Sequence, residues 1–474
     1  MKFHHKTIKL CSLTLQHSAA LLLSSSLPCY SYPSSSLFLL PLDSNSIDRT
    51  SSNASFRGFS TKKQLKSSRK SHDTFSGVSE IPLDYPHRDI VQTALSAIRA
   101  ASRITTLLQP YSINATTISN ITKSDSSPVT IGDFAAQAIV LQMLSTDKIL
   151  ENDIFIAEES SENLNDELAK EIMNVLKTCK LTNIIENEEE LRKSIDLGQT
   201  YEDNGSIKSC VLEHRKSSRR WCLDPIDGTR GFLRGKREGG QYCIALALIE
   251  NGIPIVGILA CPNLPTDASD EEYQWMEGET EENNQMSRGC IFIASKGGGT
   301  YQLPLFAVEG HDDSSLSLAK RVFATVNDGK GGIPTSKARF CIGVENYSDA
   351  NGIVPAIATK IHGRLDKDGQ ILYTRRMDSQ VKYGVLARGG AEIMTRLPSK
   401  SYVEWIWDHA AGKVVLEEAG GLQTDTNGNE IDYGLGAKMN AKVNGLLMSS
   451  GGVFHDSLVD AFTKVQTRQS DGNI

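Results

Sequence analysis

The stretch WCLDPIDGTRGFL, residues 221–233, decides how the rest of the chain is read. Its first four residues read as a strand, and Pro225 fixes φ and is expected to stop that strand from continuing. Asp224 and Asp227 then sit in a turn from which both carboxylates can face one point. Gly228 allows a backbone conformation that residues with a Cβ resist. Thr229 is placed to cap a helix starting at Arg230. Two carboxylates beside exposed backbone N–H groups suit a hard cation with a phosphate close to it.

Upstream, Ile90, Val91, Ala94, Leu95, Ile98, Ala101, Ile104 and Leu108 repeat at helical spacing, and Gln109-Pro110 ends that helix. Residues 128–131 read as extended. Asp133 precedes a new apolar period (Phe134, Ala138, Ile139, Leu141, Leu144) and so marks a helix N-terminus, where it is at least an N-cap. The run DIFIAEES, residues 153–160, is a short apolar strand ending in Glu158 and Glu159. Read alone, that acidic pair is a solvated turn, but strand ends are where α/β folds place ligands.

Downstream, QYCIALALIE and PIVGILAC flank Asn251-Gly252 and predict a hairpin. Residues 290–303 predict a second hairpin, residues 267–285 an exposed acidic insertion, and residues 326–337 a linker. From Arg339, strand and helix periods alternate, as in a layered α/β domain. Residues 378–387 read as a helix and 391–397 as a strand. WDHAAGKVVLEEAGG, residues 407–421, reads as a helix with Asp408 at its start and glycines at its end. Glu158, Asp224, Asp227 and Asp408 therefore stand at element ends, with Asp133 as a further such acid. Two neighbouring divalent ions in such a set could clamp an in-line attack.

Charge divides the chain unevenly. Residues 1–75 carry ten Lys/Arg against three acids, so within a net charge of −7 they are +7 and the remainder is −14. The first part is Ser-, Leu- and Lys/Arg-rich, and reads as a leader addressed to a chloroplast or mitochondrion. No run is apolar enough to span a membrane, and an acidic body argues against binding a nucleic acid polymer. The nine cysteines show no CxxC or Cys/His cluster, which argues against a structural zinc site. Cys222 and Cys243 flank the central stretch and read either as redox-sensitive thiols or as small buried hydrophobes.

DPIDGT (residues 224–229), AEES (157–160) and WDHAAG (407–412) together resemble the inositol monophosphatase superfamily, over about residues 85–465. SPVTIGDFAAQA, GTRGFLRG, ACPNLP and MDSQVKYG are similar to its 3′(2′),5′-bisphosphate nucleotidase branch. The resemblance implies a layered αβαβα sandwich of the inositol monophosphatase and fructose-1,6-bisphosphatase type. It implies two subdomains, residues 76–330 and 331–474, with the site between them. It further implies a phosphatase requiring two or three Mg²⁺ ions, acting on a small molecule, adenosine 3′,5′-bisphosphate, to give AMP, and also on the sulfated nucleotide. A monomer is expected.

By the same resemblance, Glu158, Asp224, Asp227, Asp408 and the Ile226 carbonyl would ligate metal. Asp133 and Thr229 would orient and activate the attacking water. Gly228 and Thr229 would hold the scissile phosphate through backbone N–H groups, with Asp408 also close to the substrate. Ser379, Lys382 and Arg396 would bind the second phosphate, the adenosine, or both. Three features depart from the family pattern: the segment 236–240 is longer than usual, residues 267–285 are extra, and NYSDANG (346–352) has no histidine, so Asn351 is placed to pair with adenine. These bear on substrate preference, which leaves an inositol polyphosphate 1-phosphatase as the alternative. A nucleotide-sensing homologue without turnover is the non-enzyme alternative, and it would predict a broken carboxylate set.

Overall fold

The computed structural model describes residues 81–109, 120–122, 128–202, 204–214, 218–266, 288–307, 310–326, 332–345, 349, 352–399 and 401–470. The leader, the acidic insertion, residues 327–331 of the linker, and Asn351 lie outside the described residues.

The strands are β1 Asn120–Thr122, β2 Pro128–Thr130, β3 Ile154–Ala157, β4 Arg219–Asp227, β5 Cys243–Glu250, β6 Ile253–Pro265, β7 Arg288–Ser295, β8 Gly299–Pro304, β9 Lys320–Val322, β10 Phe340–Ile342, β11 Thr374–Arg376, β12 Ile393–Arg396, β13 Leu422–Asp425 and β14 Leu446–Ser449. The helices are α1 Arg88–Leu108, α2 Ile131–Ser145, α3 Asp166–Thr178, α4 Glu188–Asp196, α5 Ser209–His214, α6 Thr229–Arg234, α7 Val354–His362, α8 Val381–Ala387, α9 Ala410–Glu418 and α10 Gly452–Ser470. Strands β3 to β9 form a seven-stranded sheet in sequence order. β3 and β4 run parallel and the later neighbours antiparallel. A five-stranded sheet has the order β11-β10-β12-β14-β13.

Helices and sheets stack in five layers. α1 and α2 cover one face of the larger sheet, α8 and α9 fill the space between the sheets, and α7 and α10 cover the outer face of the smaller one. Each layer boundary is an apolar core. Ala94, Ile98 and Val140 meet Leu246 and Ile258 outside, while Ala411, Val414 and Val415 of α9 meet Ala245, Leu259 and Phe292 inside. The inner and outer sets alternate along β5 and β6, as a sheet buried on both faces requires. Gly257 faces α9 where a Cβ would sit 2.5 Å from the Ala411 carbonyl oxygen. This αβαβα order is the one the sequence resemblance implied.

Local chemistry sets the element ends. Asn251 and Gly252 both take positive φ (52° and 80°), which matches the twist of the β5–β6 hairpin. α9 ends where Gly420 N–H bonds Glu417 O and Gly421 N–H bonds Leu416 O, with Gly420 at φ 98°. Among the described residues, no helix is long and apolar enough to cross a membrane.

Candidate active site

The central stretch does not end its strand at Pro225. β4 runs on to Asp227, and Asp224 pairs with Ala245 while Asp227 pairs with Cys243, so β4 spends one residue more than β5 between those pairs. This bulge corrects the expected strand stop and explains the facing carboxylates. In a regular strand, residues three apart point to opposite faces; the extra residue turns Asp227 back to the side of Asp224. Pro225 sits within the bulge, where a missing N–H is tolerated. The Asp224 carboxylate accepts the Ile226 N–H at 3.1 Å, which steadies it.

After Asp227 comes Gly228 at φ 89°, and its Cβ would lie 2.8 Å from that of Ser379. Gly228, rather than Thr229, is the N-cap of α6; Thr229 is its first residue, and the Thr229 hydroxyl donates to the Ile226 carbonyl at 3.2 Å.

The other acids arrive from three directions. β3 and β4 are in register from Ile154↔Arg220 to Ala157↔Leu223, so Glu158 comes level with Asp224. The backbone just beyond Glu158 is pinned. Glu159 N–H donates to Gln137 Oε1 at 2.9 Å, and its carbonyl accepts from Gln137 and from Gln199, both at 2.6 Å. Glu159 is buried, so the solvated acidic turn expected from the pair alone is not what forms. Asp133 is the third residue of α2, not its N-cap. Thr130 caps the helix, and Asp133 Oδ2 accepts both the Thr130 N–H (2.8 Å) and the Thr130 hydroxyl (2.7 Å). Gly132 lets this first turn press on Ile226, with 3.0 Å left for a Cβ. Asp408 ends a short 3₁₀ turn, Ile406–Asp408, immediately before α9.

Oxygens of Asp224, Asp227 and Asp408 lie within 4.8 Å of one another. Burial pushes the Asp224 carboxyl well above the usual range, and Glu158, Asp227, Asp408 and Asp133 add to it as like charges. Asp408 is raised by burial and then by Asp227 and Glu404. Asp227 is raised by burial, against the opposing effect of Lys382 and of hydrogen bonds from Gln380. A cluster of this kind needs compensating positive charge to remain ionised. The donor set is oxygen, which suits a hard divalent cation. The Cys243 sulfur is 3.9 Å from Asp227 Oδ2, but burial raises its thiol well above the usual value, so it stays a neutral thiol. Cys222 is buried and raised in the same way, and both are the small hydrophobes of the second sequence reading.

The remaining expected residues come from the second sheet and its helices. Residues 378–380 are a tight turn, with the helix starting at Val381; Ser379 has φ 65°, an uncommon conformation for a residue with a Cβ. Gln380 N–H donates to Asp227 Oδ2 at 2.5 Å. Lys382 is buried, and its ammonium donates to the Ser379 carbonyl at 2.7 Å. Arg396, at the end of β12, pairs with the buried Glu404 at 2.8 Å. The structure thus brings Asp224, Asp227 and Asp408 together, sets Glu158 and Asp133 beside them, and brings the Ser379 turn to Gly228.

Sequence reading missed a buried polar chain. Tyr433 OH donates to Gln423 (2.7 Å), Gln423 to Tyr383 OH (2.7 Å), and Tyr383 OH to His409 Nδ1 (2.9 Å). That leaves His409 Nε2 to donate to Glu404 at 3.2 Å. Burial would raise the Glu404 carboxyl, but His409 and Arg396 prevail and hold it below the usual range. The position of His409 inside WDHAAG was the one signal available.

Residues 88–466 match the model of the inositol monophosphatase family. The chain belongs to that family. It is 34% identical over 388 residues to a 3′(2′),5′-bisphosphate nucleotidase of Schizosaccharomyces pombe, covering 80% of this chain and 96% of the relative. It is 35% identical over 373 residues to a 3′(2′),5′-bisphosphate nucleotidase of Emericella nidulans, covering 77% and 96%. A solved Thermotoga maritima IMPase aligns with 17% identity and a TM-score of 0.45, over 80% of this chain and 99% of its own.

Proposed function

We propose that this chain is a Mg²⁺-dependent 3′(2′),5′-bisphosphate nucleotidase, hydrolysing adenosine 3′,5′-bisphosphate to AMP and acting also on the sulfated nucleotide. The observation that carries this reading is the convergence of Asp224, Asp227 and Asp408 on one point beside the Ser379 turn, with Glu158 close enough to act on Asp224 as a like charge, in a chain whose curated relatives are nucleotidases over most of their length.

In this reading, those four carboxylates and the Ile226 carbonyl hold two or three Mg²⁺ ions, which supply Lewis acidity and charge neutralisation at the phosphate. Asp133 and Thr229 orient the attacking water and take its proton; Thr130, bonded to Asp133, fixes which way that carboxylate faces. Water attacks phosphorus, the P–O3′ bond breaks, and the freed ribose oxygen takes a proton from solvent. Backbone N–H groups of Gly228 and Thr229 receive the scissile phosphate, with Asp408 beside it. Ser379 and Arg396 meet the rest of the nucleotide. Lys382 contributes by holding the Ser379 turn and by its charge near Asp227.

The site lies between two subdomains divided near residue 330, the first containing the larger sheet and the second the smaller. The basic first 75 residues are a leader to chloroplast or mitochondrion, and the mature enzyme is a monomer.

The test is phosphate release from adenosine 3′,5′-bisphosphate, the sulfated nucleotide and inositol 1,4-bisphosphate, each with and without Mg²⁺. Mg²⁺-dependent turnover of the nucleotides is expected. Preference for the inositol phosphate would move the chain to an inositol polyphosphate 1-phosphatase, and no turnover of any of them would sink the reading.

A further inference from the structure

The Asp227 and Asp408 carboxylates come from opposite halves of the chain, one on a strand of the larger sheet and one on the turn before α9, yet they share a point to within 4.8 Å. Their separation must be fixed by something that touches both segments. Gln380 does so with three hydrogen bonds. Its backbone N–H donates to Asp227 Oδ2 at 2.5 Å. Its side-chain Nε2 donates to the Trp407 carbonyl at 2.8 Å, at the peptide link leading into Asp408. Its Oε1 accepts the Gly412 N–H at 3.1 Å.

The last bond fills a gap in α9. The first N–H groups of a helix have no partner within the helix, and the N-cap side chain normally supplies one. His409 is the N-cap of α9 and makes no such bond, because its ring is committed to Tyr383 and Glu404. Gln380 caps the helix in its place, from another element. With one end of its amide on the carbonyl before Asp408 and the other on the third N–H of α9, Gln380 fixes the turn from both sides. It is 2% exposed, and Gly412 lets α8 and α9 approach so closely that a Cβ there would lie 2.3 Å from the Tyr383 ring.

We propose that Gln380 is a positioning residue that sets the distance between the Asp227 and Asp408 carboxylates, and through it the affinity of the site for divalent cations. This rests on the reading of those carboxylates as a shared cation site. Both ends of the amide are engaged, so its polarity matters and not only its volume. An apolar side chain of similar length removes both bonds while leaving the backbone bond to Asp227.

The experiment compares the full chain with Gln380→Met, using Mn²⁺ as the probe. Free Mn²⁺ is measured by electron paramagnetic resonance without substrate, followed by the Mg²⁺ dependence of nucleotide hydrolysis. Loss of an interaction that orients a ligand costs about 10–100-fold in metal affinity. The variant should bind Mn²⁺ at least about tenfold more weakly, need correspondingly more Mg²⁺ for half-maximal activity, and approach the native kcat when Mg²⁺ saturates. A folded Gln380→Met protein with native Mn²⁺ affinity overturns the proposal. Should that variant not fold, Gln380→Leu, which also removes both amide bonds and adds no charge, decides by the same criterion. Native protein that binds no Mn²⁺ overturns the cation-site reading itself, whereas native binding with an unaltered variant overturns only the role of Gln380.

Discussion

Replacing Asp224 by Asn keeps the shape and the bond from Ile226 N–H while removing one charge from a buried cluster. Two unit charges at the 4.8 Å limit of this cluster repel by about 3 kcal/mol at an effective dielectric near 20. Asp224 makes such pairs with Asp227 and Asp408. Its raised pKa means that protonation already relieves part of this repulsion in the metal-free protein, so the substitution should release on the order of 2–4 kcal/mol. For a body of this size that is roughly 2–5 °C in melting temperature. In EDTA the Asn variant should therefore melt higher than the native chain. The sign with pH follows from the raised pKa. The native carboxyl costs nothing below the ordinary aspartate range, and stability is lost as pH rises through the folded value. The advantage of Asn should thus be small near pH 5 and larger near pH 8. With Mg²⁺ at about a hundredfold its Kd, the native protein gains about 2.7 kcal/mol and the variant much less, while phosphate release falls at least about a thousandfold. Differential scanning calorimetry with and without Mg²⁺, paired with a phosphate assay, measures all of this. An Asn variant that melts lower in EDTA, gains as much from Mg²⁺, or turns over at a near-native rate refutes the reasoning.

Lys382→Met removes a charged hydrogen bond to the Ser379 carbonyl and the cation nearest in effect to Asp227. The sequence resemblance placed Lys382 on the second phosphate or the adenosine; the buried position predicts a loss of kcat/KM with nucleotide and inositol phosphate alike, and a drop of about 1.5–3 kcal/mol in stability. Glu404→Gln removes the charge that pairs with Arg396 and leaves one acceptor oxygen for the two donors Arg396 and His409, and should raise KM for the nucleotide more than it lowers kcat. Because the Glu404 pKa is depressed, its stabilisation is present above the ordinary glutamate value and lost as pH falls through the folded one. The stability gap between native and Gln variant should therefore close below about pH 4 in urea titrations. Lithium at millimolar concentration should inhibit phosphate release by occupying a Mg²⁺ position; full activity there counts against the proposed ion sites.

The parts of this site legible in the sequence are those whose cause is local. The helical period of α1, the Asn-Gly hairpin and the Gly420 stop each depend on residues adjacent to one another, and each forms as read. The Asp224–Thr229 stretch was legible as a site but not as a structure. A proline after a strand reads as a stop, and only pairing with β5 shows that the chain continues through a bulge. The acids Glu158 and Asp408 were visible at element ends, but what brings them together was not. Glu158 arrives through the parallel register of β3 on β4, and Asp408 through α9 packing on the inner face of the larger sheet. The polar partners were least legible. Gln380, Glu404 and Tyr383 bond to groups up to 153 residues away in the chain, and an isolated Gln or Glu in a polar segment carries no periodicity to mark it. These residues are where the two sheets are joined. The carboxylates repel one another, and α9 is capped from another element. Geometry at the cluster is therefore imposed by neutral amides and a Tyr–His–Glu chain, which hold the acids in place without cancelling the charge that a cation needs.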